Sequence, residues 1–207
     1  MQQYSLNYKN RGLTTGKVFA GAVLFLLLVL ALLRIVFGFI YVKVYVVGNS
    51  MGGTLTGAPS EDEEGGDYVY AFRTSSPRHG DIVVINTGDK SKPIIKRVIA
   101  LGGDTVELKE GVLYLNGFVF SEPYVRAENN TPTDPKNTFP ATEVPDGYMF
   151  FMGDNRDVSV DSRSDKYGMM PVTSLMGVVA DWSMTFKGAV TSFNTFFDFT
   201  IGNALRG

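Results

Sequence analysis

Residues 93–104 read PIIKRVIALGGD and give the strongest strand signal in the sequence. The run of Ile, Val and Leu has the length and the β-branched composition of a buried strand. Alternate side chains of a strand point to opposite faces, so Lys96 and Arg97 lie on different faces, each among aliphatic neighbours. Burial removes hydration from a lysine, lowers its pKa and yields an amine that can take a proton from a hydroxyl. The alternative is a lysine at a sheet edge, with its amine in solvent.

Strand signals continue on both sides of this stretch. Glycine-containing pairs at 110–111 and 116–117 are typical of hairpin turns. Residues 129–147 contain four prolines and are predicted to form an irregular loop. The sequence therefore predicts a mainly β fold. The other runs rich in Val, Ile and aromatic residues are 44–48, 68–72, 81–86 and 148–154.

An apolar segment at 18–42, interrupted by Arg34, precedes the strands. A helix that crosses about 30 Å of hydrocarbon needs roughly 20 residues, so we predict a transmembrane anchor at 16–40. A cleaved signal peptide and a buried helix are the alternatives, but signal peptides have shorter apolar cores of roughly 7–15 residues. The first 60 residues carry five basic residues and no acidic one. The positive-inside rule then places residues 1–15 in the cytoplasm and 43–207 outside.

Composition excludes several kinds of chemistry. The 207 residues include 19 Lys and Arg, 21 Asp and Glu, one His and no Cys, with a net charge of −2. This balance argues against a nucleic-acid partner. Without Cys there is no disulfide, thiolate zinc site or cysteine nucleophile, and a Ser-His-Asp triad would have to use His79. We predict neither a metal nor a cofactor.

Two more segments combine reactive side chains with turn residues. Residues 48–55 read GNSMGGTL, and a serine on such a glycine-rich turn can present both its hydroxyl and its own backbone N–H. Most serines in such turns have no further role. Residues 152–163 read MGDNRDVSVDSR, a density of polar groups that suits a hydrogen-bonded turn. A calcium loop is an alternative, but the spacing does not fit the twelve-residue EF-hand pattern.

Together with the anchor, these segments resemble the bacterial type I signal peptidases, membrane-bound Ser/Lys proteases that remove signal peptides from exported preproteins. The family motif S-M-x-P-T-L is similar to residues 50–55, and its G-D-I-V-V box to 80–84. Its K-R-V box, which ends in G-D, is similar to 96–104, and its G-D-N-R-x-x-S-x-D-S-R box to 153–163.

The resemblance implies an antiparallel β catalytic domain formed by residues 41–104 and 148–183. It also implies a small inserted β domain at 105–147. The remaining residues, 184–207, form an amphipathic tail with an apolar stripe at helical spacing. This stripe either packs against the domain or lies on the membrane surface. Its members are Phe186, Val190, Phe193, Phe197, Ile201 and Leu205.

The resemblance also implies roles for individual residues. Ser50 is the expected nucleophile and supplies its backbone N–H to the oxyanion, and Lys96 is the expected general base. Ser159 is expected to bond the Lys96 amine and orient it, and Met51 to help line the substrate cleft. Structural support is expected from Asp154, Asp161 and Arg163.

The sequence departs from the family pattern at several positions. Gly53 and Gly102 stand where proline is usual, and Ala100 where glycine is usual. Gly48 stands where some members carry a serine that donates to the oxyanion. Four residues, 164–167, occupy a stretch where two are common.

The expected activity is cleavage of preproteins after small residues at a phospholipid membrane. Two alternatives remain open at this point: a dedicated Ser/Lys processing peptidase for a narrow substrate set, and a non-catalytic, membrane-tethered β domain that binds exported proteins. The sequence leaves the oligomeric state open.

Overall fold

The computed structural model describes residues 15–74, 76–88 and 93–201, with side chains described up to 198. The chain divides into two compact units at the junction between Ile40 and Tyr41. The first contains helix α1, Thr15–Ile40, whose 26 residues include no buried side chain. With a mean hydropathy of 3.0, α1 is long and apolar enough to cross a membrane, and its bounds agree with the predicted anchor.

The second unit contains two antiparallel sheets. The larger has seven strands in the order β1-β2-β11-β3-β4-β9-β10, and the smaller has four in the order β7-β6-β5-β8. The strands are β1 (Tyr41–Tyr45), β2 (Tyr68–Phe72), β3 (Ile82–Ile85), β4 (Ile94–Leu101), β5 (Thr105–Lys109), β6 (Val112–Leu115), β7 (Phe118–Val119), β8 (Phe139–Glu143), β9 (Tyr148–Met152), β10 (Met170–Pro171) and β11 (Leu175–Val179). Helices α2 (Asp181–Thr185) and α3 (Lys187–Thr195) and a π-helical turn, Phe196–Ile201, follow. Short 3-10 turns lie at Ala127–Asn129, Pro135–Asn137 and Val172–Ser174.

Strand β4 lies inside the larger sheet, as the sequence predicted. It pairs with β3 on one side and β9 on the other, and its six central residues are buried. The chain passes directly from β4 into β5 of the smaller sheet through a tight turn at Gly102 and Gly103. A side chain at Gly102 would meet the backbone around residue 146 at about 3 Å, so this turn requires glycine.

The smaller sheet contains the two predicted hairpin turns. Glu110 and Asn116 have positive φ angles of 49° and 54°, and each is followed by a glycine of positive φ, which is the geometry of tight two-residue turns. The irregular loop predicted at 129–147 is wrong at 139–143, because β8 forms there. Its Pro140 is tolerated since β8 pairs only with β5 and lies at the sheet edge. Both sheets belong to one compact unit, so the structure does not divide the smaller sheet from the larger one. A separate inserted domain therefore stays a prediction.

The C-terminal helices from Asp181 onward, which we term the tail from here on, pack against β2 through their polar face. Ser183 Oγ accepts the Tyr70 N–H at 2.8 Å, and Thr191 Oγ1 accepts the Tyr68 N–H at 3.0 Å. Asn194 is buried, and its side-chain oxygen accepts the Tyr70 hydroxyl at 3.1 Å. Polar groups of the tail therefore replace a strand partner along this part of β2.

Of the described members of the predicted stripe, Phe186, Phe193 and Phe197 are exposed and Val190 is half-buried, so of the two alternatives packing against the domain holds for Val190 alone. Polar side chains occupy the inner face because they hydrogen-bond to backbone N–H and hydroxyl groups of β2. Ile201 and Leu205 of the predicted stripe lie outside the described side chains. The exposed phenylalanines are Phe186, Phe193, Phe196 and Phe197, at 61%, 60%, 51% and 49% exposure.

Candidate active site

Ser50 lies on a tight turn within the loop that follows β1, which we term the serine loop (residues 46–58). Gly48 N–H donates to Ala58 O at 2.8 Å, and Ala58 N–H donates back to Val46 O at 3.0 Å. These bonds close the loop, and Gly48 has a φ angle of +77° that favours glycine. The side chain of Leu55 is buried beneath the loop. The loop is thereby fixed to the core while Ser50 stays half-buried at the surface.

Met51 does not line a cleft, so that expectation is wrong. Its side chain is 1% exposed and belongs to the apolar cluster that also contains Val46 and Leu55. On a tight turn, neighbouring side chains point in different directions, so Met51 enters the core where Ser50 faces outward. Met51 therefore serves to anchor the serine loop.

The β4 lysine reaches the serine hydroxyl. Lys96 is 4% exposed, and its Nζ lies 2.7 Å from Ser50 Oγ and 2.9 Å from the Ile95 carbonyl oxygen. Burial lowers the pKa of Lys96 from 10.5 to about 8, although the nearby carboxylates of Asp161 and Asp154 act in the opposite direction. The lysine at a sheet edge is thereby excluded, since β4 is interior and the amine is buried.

Ser159 is near the dyad but is not bonded to it. Its side chain is buried, and its Oγ has no hydrogen-bond partner among the described residues. The expected bond from Ser159 to Lys96 is therefore not formed in this structure.

Gly153 allows the segment around Ser159 to approach the serine loop. A Cβ at Gly153 would lie 2.2 Å from the Ser50 carbonyl oxygen and 2.4 Å from Ser159 Oγ. Asn155 N–H donates to the same Ser50 carbonyl at 3.1 Å. Sequence reasoning did not predict that Gly153 permits this close approach. The available signal was its position at the start of a polar turn.

Asp154 connects the serine loop to β4. Its carboxylate is fully buried and accepts from Arg97 Nε at 2.8 Å and Arg97 Nη2 at 2.6 Å. Thr54 of the serine loop donates its hydroxyl to the same carboxylate at 2.5 Å. A bidentate guanidinium–carboxylate pair has a fixed geometry, so it restrains the spacing of the two segments. Arg97 and Thr54 were absent from the predicted site, and the cation on the second face of β4 was the signal for Arg97.

Asp161 and Arg163 form a second buried pair. Arg163 Nε and Nη2 donate to the Asp161 carboxylate at 2.9 and 3.0 Å, and Gly153 N–H donates to it at 3.1 Å. Arg163 Nη1 also donates to the side chain of Asn137 at 2.7 Å. The polar turn thereby holds Gly153 against the serine loop and contacts the segment before β8.

A third buried ion pair extends the polar network. Arg97 lies over the ring of Tyr124 at 3.8 Å, and the Tyr124 hydroxyl donates to Glu122 at 2.8 Å. Glu122 in turn pairs with the fully buried Arg156. These residues connect the chain after β7 to the polar turn at 152–163. Sequence reasoning included Arg97 and Arg156 only as motif positions and missed Glu122 and Tyr124.

Ser50 and Lys96 line one groove of about 1440 Å³. Apolar side chains from three segments form much of its surface, among them Val44, Ile94 and Met176. The turn at 164–167, which is longer than the family pattern, contributes Lys166 and Tyr167, and the tail contributes Phe197 and Asp198. The longer turn and the tail therefore both contribute to the groove.

The single histidine is remote from this chemistry. His79 Nε2 lies 2.6 Å from Asp104 Oδ2, and neither residue lines the groove. A triad of Ser50, His79 and an acid is therefore not formed. Within the described ranges, no three His, Cys, Asp or Glu side chains cluster as metal ligands would.

Comparisons with known proteins agree with the motifs. Residues 19–182 match the family described as signal peptidase, peptidase S26. The chain is 34% identical to signal peptidase I of Bacillus licheniformis over 79% of its own length and 84% of the relative. It is 33% identical to signal peptidase I P of Bacillus subtilis subsp. natto, over 74% and 82%. A solved signal peptidase I from Enterococcus faecalis V583 is 30% identical, with a TM-score of 0.43, and the match covers 51% of this chain and 97% of that one.

Proposed function

The chain belongs to the signal peptidase family, peptidase S26, and we propose that it cleaves signal peptides from exported preproteins with a Ser50/Lys96 dyad. Its relatives are signal peptidases I, which are serine endopeptidases, and this chain is a hydrolase of that class. The observation that carries the proposal is the 2.7 Å distance between Lys96 Nζ and Ser50 Oγ. Burial of the lysine supports it, because a nucleophilic serine needs a base that is neutral near physiological pH.

In the first step, neutral Lys96 takes the Ser50 proton while Ser50 Oγ attacks the carbonyl carbon of the scissile bond. A pKa of about 8 leaves roughly a tenth of the lysine neutral at pH 7. A lysine at the usual value would be neutral in roughly one molecule in three thousand. Burial therefore raises the fraction of competent base by about 300-fold.

The oxyanion of the tetrahedral intermediate needs a donor beside Ser50. The Ser50 N–H has no acceptor among the residues that the structure describes, so it is available for this role. Gly48 cannot provide a side-chain hydroxyl. We therefore assign the oxyanion to the Ser50 amide, and the loss of one such donor costs about 10²–10³ in rate in other serine enzymes.

In the second step, protonated Lys96 gives its proton to the leaving amine as the C–N bond breaks, and an ester on Ser50 remains. Lys96 then takes a proton from water, whose oxygen attacks the ester carbonyl. As the bond from that carbon to Ser50 Oγ breaks, Lys96 returns the proton to Ser50 Oγ. Ser159 is proposed to orient the amine once substrate is bound, since its buried hydroxyl has no other partner among the described residues. Asp154, Asp161 and Arg163 are proposed to hold the segments together.

The groove has room for an extended peptide substrate, and cleavage after small residues is proposed from the family to which the chain belongs. The anchor is proposed to keep the enzyme at the cytoplasmic membrane, with residues 1–15 inside and the catalytic unit outside. Tethering raises the effective concentration of membrane-bound substrate. The alternative of a narrow-range processing peptidase shares the dyad, whereas a non-catalytic binding domain would have no use for a buried lysine beside a serine.

The dyad is tested with Ser50→Ala and Lys96→Ala in the full-length protein reconstituted in vesicles. Each variant is expected to lose at least about 10³-fold in preprotein cleavage, because the nucleophile or its base is absent. Lys109→Ala and Ser192→Ala, at exposed positions, are the matched controls and should retain full activity. An acylating serine probe should label Ser50 in the wild type and fail to label it in Lys96→Ala. Near-wild-type cleavage by either dyad variant would refute the assignment.

A further inference from the structure

The tail helix is docked with its apolar face outward. Polar side chains at successive spacings of 4, 4, 3 and 4 form the inner face, and each bonds to the sheet unit. Phe186, Phe193 and Phe196 lie on the opposite face, and each is more than half exposed. A soluble helix normally shows the reverse arrangement. The inner face consists of Ser183, Lys187, Thr191, Asn194 and Asp198.

We propose that this outward face, defined by Phe186, Ala189, Phe193 and Phe196, inserts into the outer boundary of a lipid bilayer. Contiguous apolar patches on a soluble surface usually mark an interaction site. Phenylalanines on one side of a helix that lies in the membrane plane suit the boundary between headgroups and acyl chains. The tail thus contributes a second membrane contact besides α1.

The link between the tail and the proposed membrane anchor argues that lipid covers the outward face. Asp198 at the end of the tail forms an ion pair with Lys43 at 2.6 Å and accepts the Tyr68 hydroxyl at 2.9 Å. Lys43 is only three residues beyond Ile40, the last residue of the apolar helix. Backbone geometry limits that stretch to about 11 Å. The ion pair therefore holds the end of the tail to a residue that is three positions along the chain from the end of the apolar helix.

The charge pattern selects the kind of lipid contact. No Lys, Arg, Asp or Glu belongs to the outward face. Lys187 and Asp198 are bonded on the inner face, and the third charged side chain of the described tail, Asp181, lies in the first turn of α2. Binding should therefore depend on burial of phenylalanine and not on attraction to anionic headgroups. We expect it on zwitterionic vesicles and expect it to be insensitive to salt.

Because the sequence contains no Cys, a single introduced cysteine can carry a unique spin label. The full-length variant Ala189→Cys is labelled and reconstituted in phosphatidylcholine vesicles, and collisions with O₂ and with an aqueous nickel chelate are measured. The label is expected to be accessible to O₂ and protected from nickel. A label at Glu128→Cys, an exposed position on the β7–β8 connection, gives the aqueous reference.

Two double-substituted backgrounds make the test specific. Phe193→Ser with Phe196→Ser should lower the insertion equilibrium by about 100-fold, because burial of one phenylalanine favours the buried state by at least about tenfold. The label at 189 should then match the aqueous reference. Phe118→Ser with Val119→Ser, at exposed apolar positions of β7, should leave it protected. Neither pair lines the groove, so hydrolysis of a soluble peptide should be unchanged in both.

Three results would overturn the proposal. One is nickel access at position 189 equal to that of the reference in phosphatidylcholine vesicles. Another is protection that requires anionic lipid and disappears at high salt. The third is protection from both reagents with spin–spin broadening that grows with protein density, which would identify a second copy of the chain as the occupant. None of these outcomes affects the dyad, which is tested separately.

Discussion

At the scale of single residues, burial of the proposed base, Lys96, lowers the stability of the fold. Lys96 is almost fully buried among aliphatic side chains, with Ser50 and the Ile95 carbonyl as its hydrogen-bond partners. An ammonium in that position has lost most of its hydration, and this loss is what brings its pKa down to about 8. Reactivity of the amine and instability of its charged form are therefore the same physical effect.

This cost predicts how stability depends on pH. Below about pH 8, Lys96 is protonated in both states, and the folded state bears the full cost of the buried charge. Between about 8 and 10.5, the unfolded chain still binds a proton that the folded chain does not, so stability rises with pH. The difference between these pKa values corresponds to about 3 kcal/mol.

Lys96→Met should therefore stabilise the protein while it abolishes cleavage. We expect the free energy of unfolding to rise by about 1–3 kcal/mol at pH 7, since two hydrogen bonds are lost along with the charge. The gain should shrink toward pH 10.5 in denaturant titrations of the full-length protein in detergent. Lys109→Met at an exposed site should change little. A loss of stability that is the same at pH 7 and pH 10 would contradict this account.

Gly53 shows that a departure from the family pattern has a structural basis. Its φ angle of +100° is inaccessible to proline, whose ring fixes φ near −65°. The side chain of Arg126 also lies 3.2 Å from where a Cβ would be and donates to the Gly53 carbonyl at 3.3 Å. The serine loop of this chain therefore adopts a conformation that requires glycine at position 53.

Restoring the usual proline should consequently damage the enzyme. Gly53→Pro is expected to destabilise the fold by about 3 kcal/mol and to lower kcat/KM by at least about tenfold, since the loop positions Ser50. Gly53→Ala, which keeps the N–H but is strained at positive φ, should cost about 1 kcal/mol. Thermal unfolding and peptide hydrolysis measure both effects. Wild-type activity and stability in the proline variant would show that the positive φ is not required.

At the scale of elements, β4 and the hairpins were predictable because their signals are local. The strand required only a run of β-branched residues, and the turn at Asn116-Gly117 required only a residue pair with access to positive φ. The same local character misled the prediction at 139–143, since Pro140 signals a break unless the strand lies at an edge. Whether β8 would be an edge strand depends on sheet order, which no local pattern gives.

Contacts between distant elements account for the parts of the site that sequence reasoning missed. Asp154 could be assigned a supporting role from its motif, but its partner Arg97 is 57 positions away and its partner Thr54 is 100 away. The inward position of Met51 depends on the geometry of one turn relative to the core. Ser159 was expected to bond Lys96, but its hydroxyl has no partner among the described residues, and its position depends on packing around Gly153, which no local pattern gives.

At the scale of the whole catalytic unit, the tail completes the larger sheet. Strand β11 pairs with β2 at Phe72 and Ala71, and nearer the start of β2 the tail bonds the strand instead. Ser183 and Thr191 accept those N–H groups, and Ala180 N–H donates to the Tyr70 carbonyl at 2.9 Å. A helix that must bond a sheet edge in this way turns its polar face inward. The exposed phenylalanines follow from that requirement. The amphipathic stripe alone left packing against the domain and contact with a membrane both open.

Ser183 offers a direct measure of this edge contact. Its side chain is fully buried, and Ser183→Ala would remove the acceptor of the Tyr70 N–H without changing the packed volume much. A buried donor left unpaired costs about 1–3 kcal/mol, so the free energy of unfolding should fall by that amount. Ser192→Ala is the matched control on the exposed flank of the same tail, since its hydroxyl bonds only to the Gly188 carbonyl of its own helix, and it should change stability by less than about 0.5 kcal/mol. Equal effects of the two substitutions would mean that the tail does not contribute its polar face to the sheet, and the outward phenylalanine face would lose its structural cause.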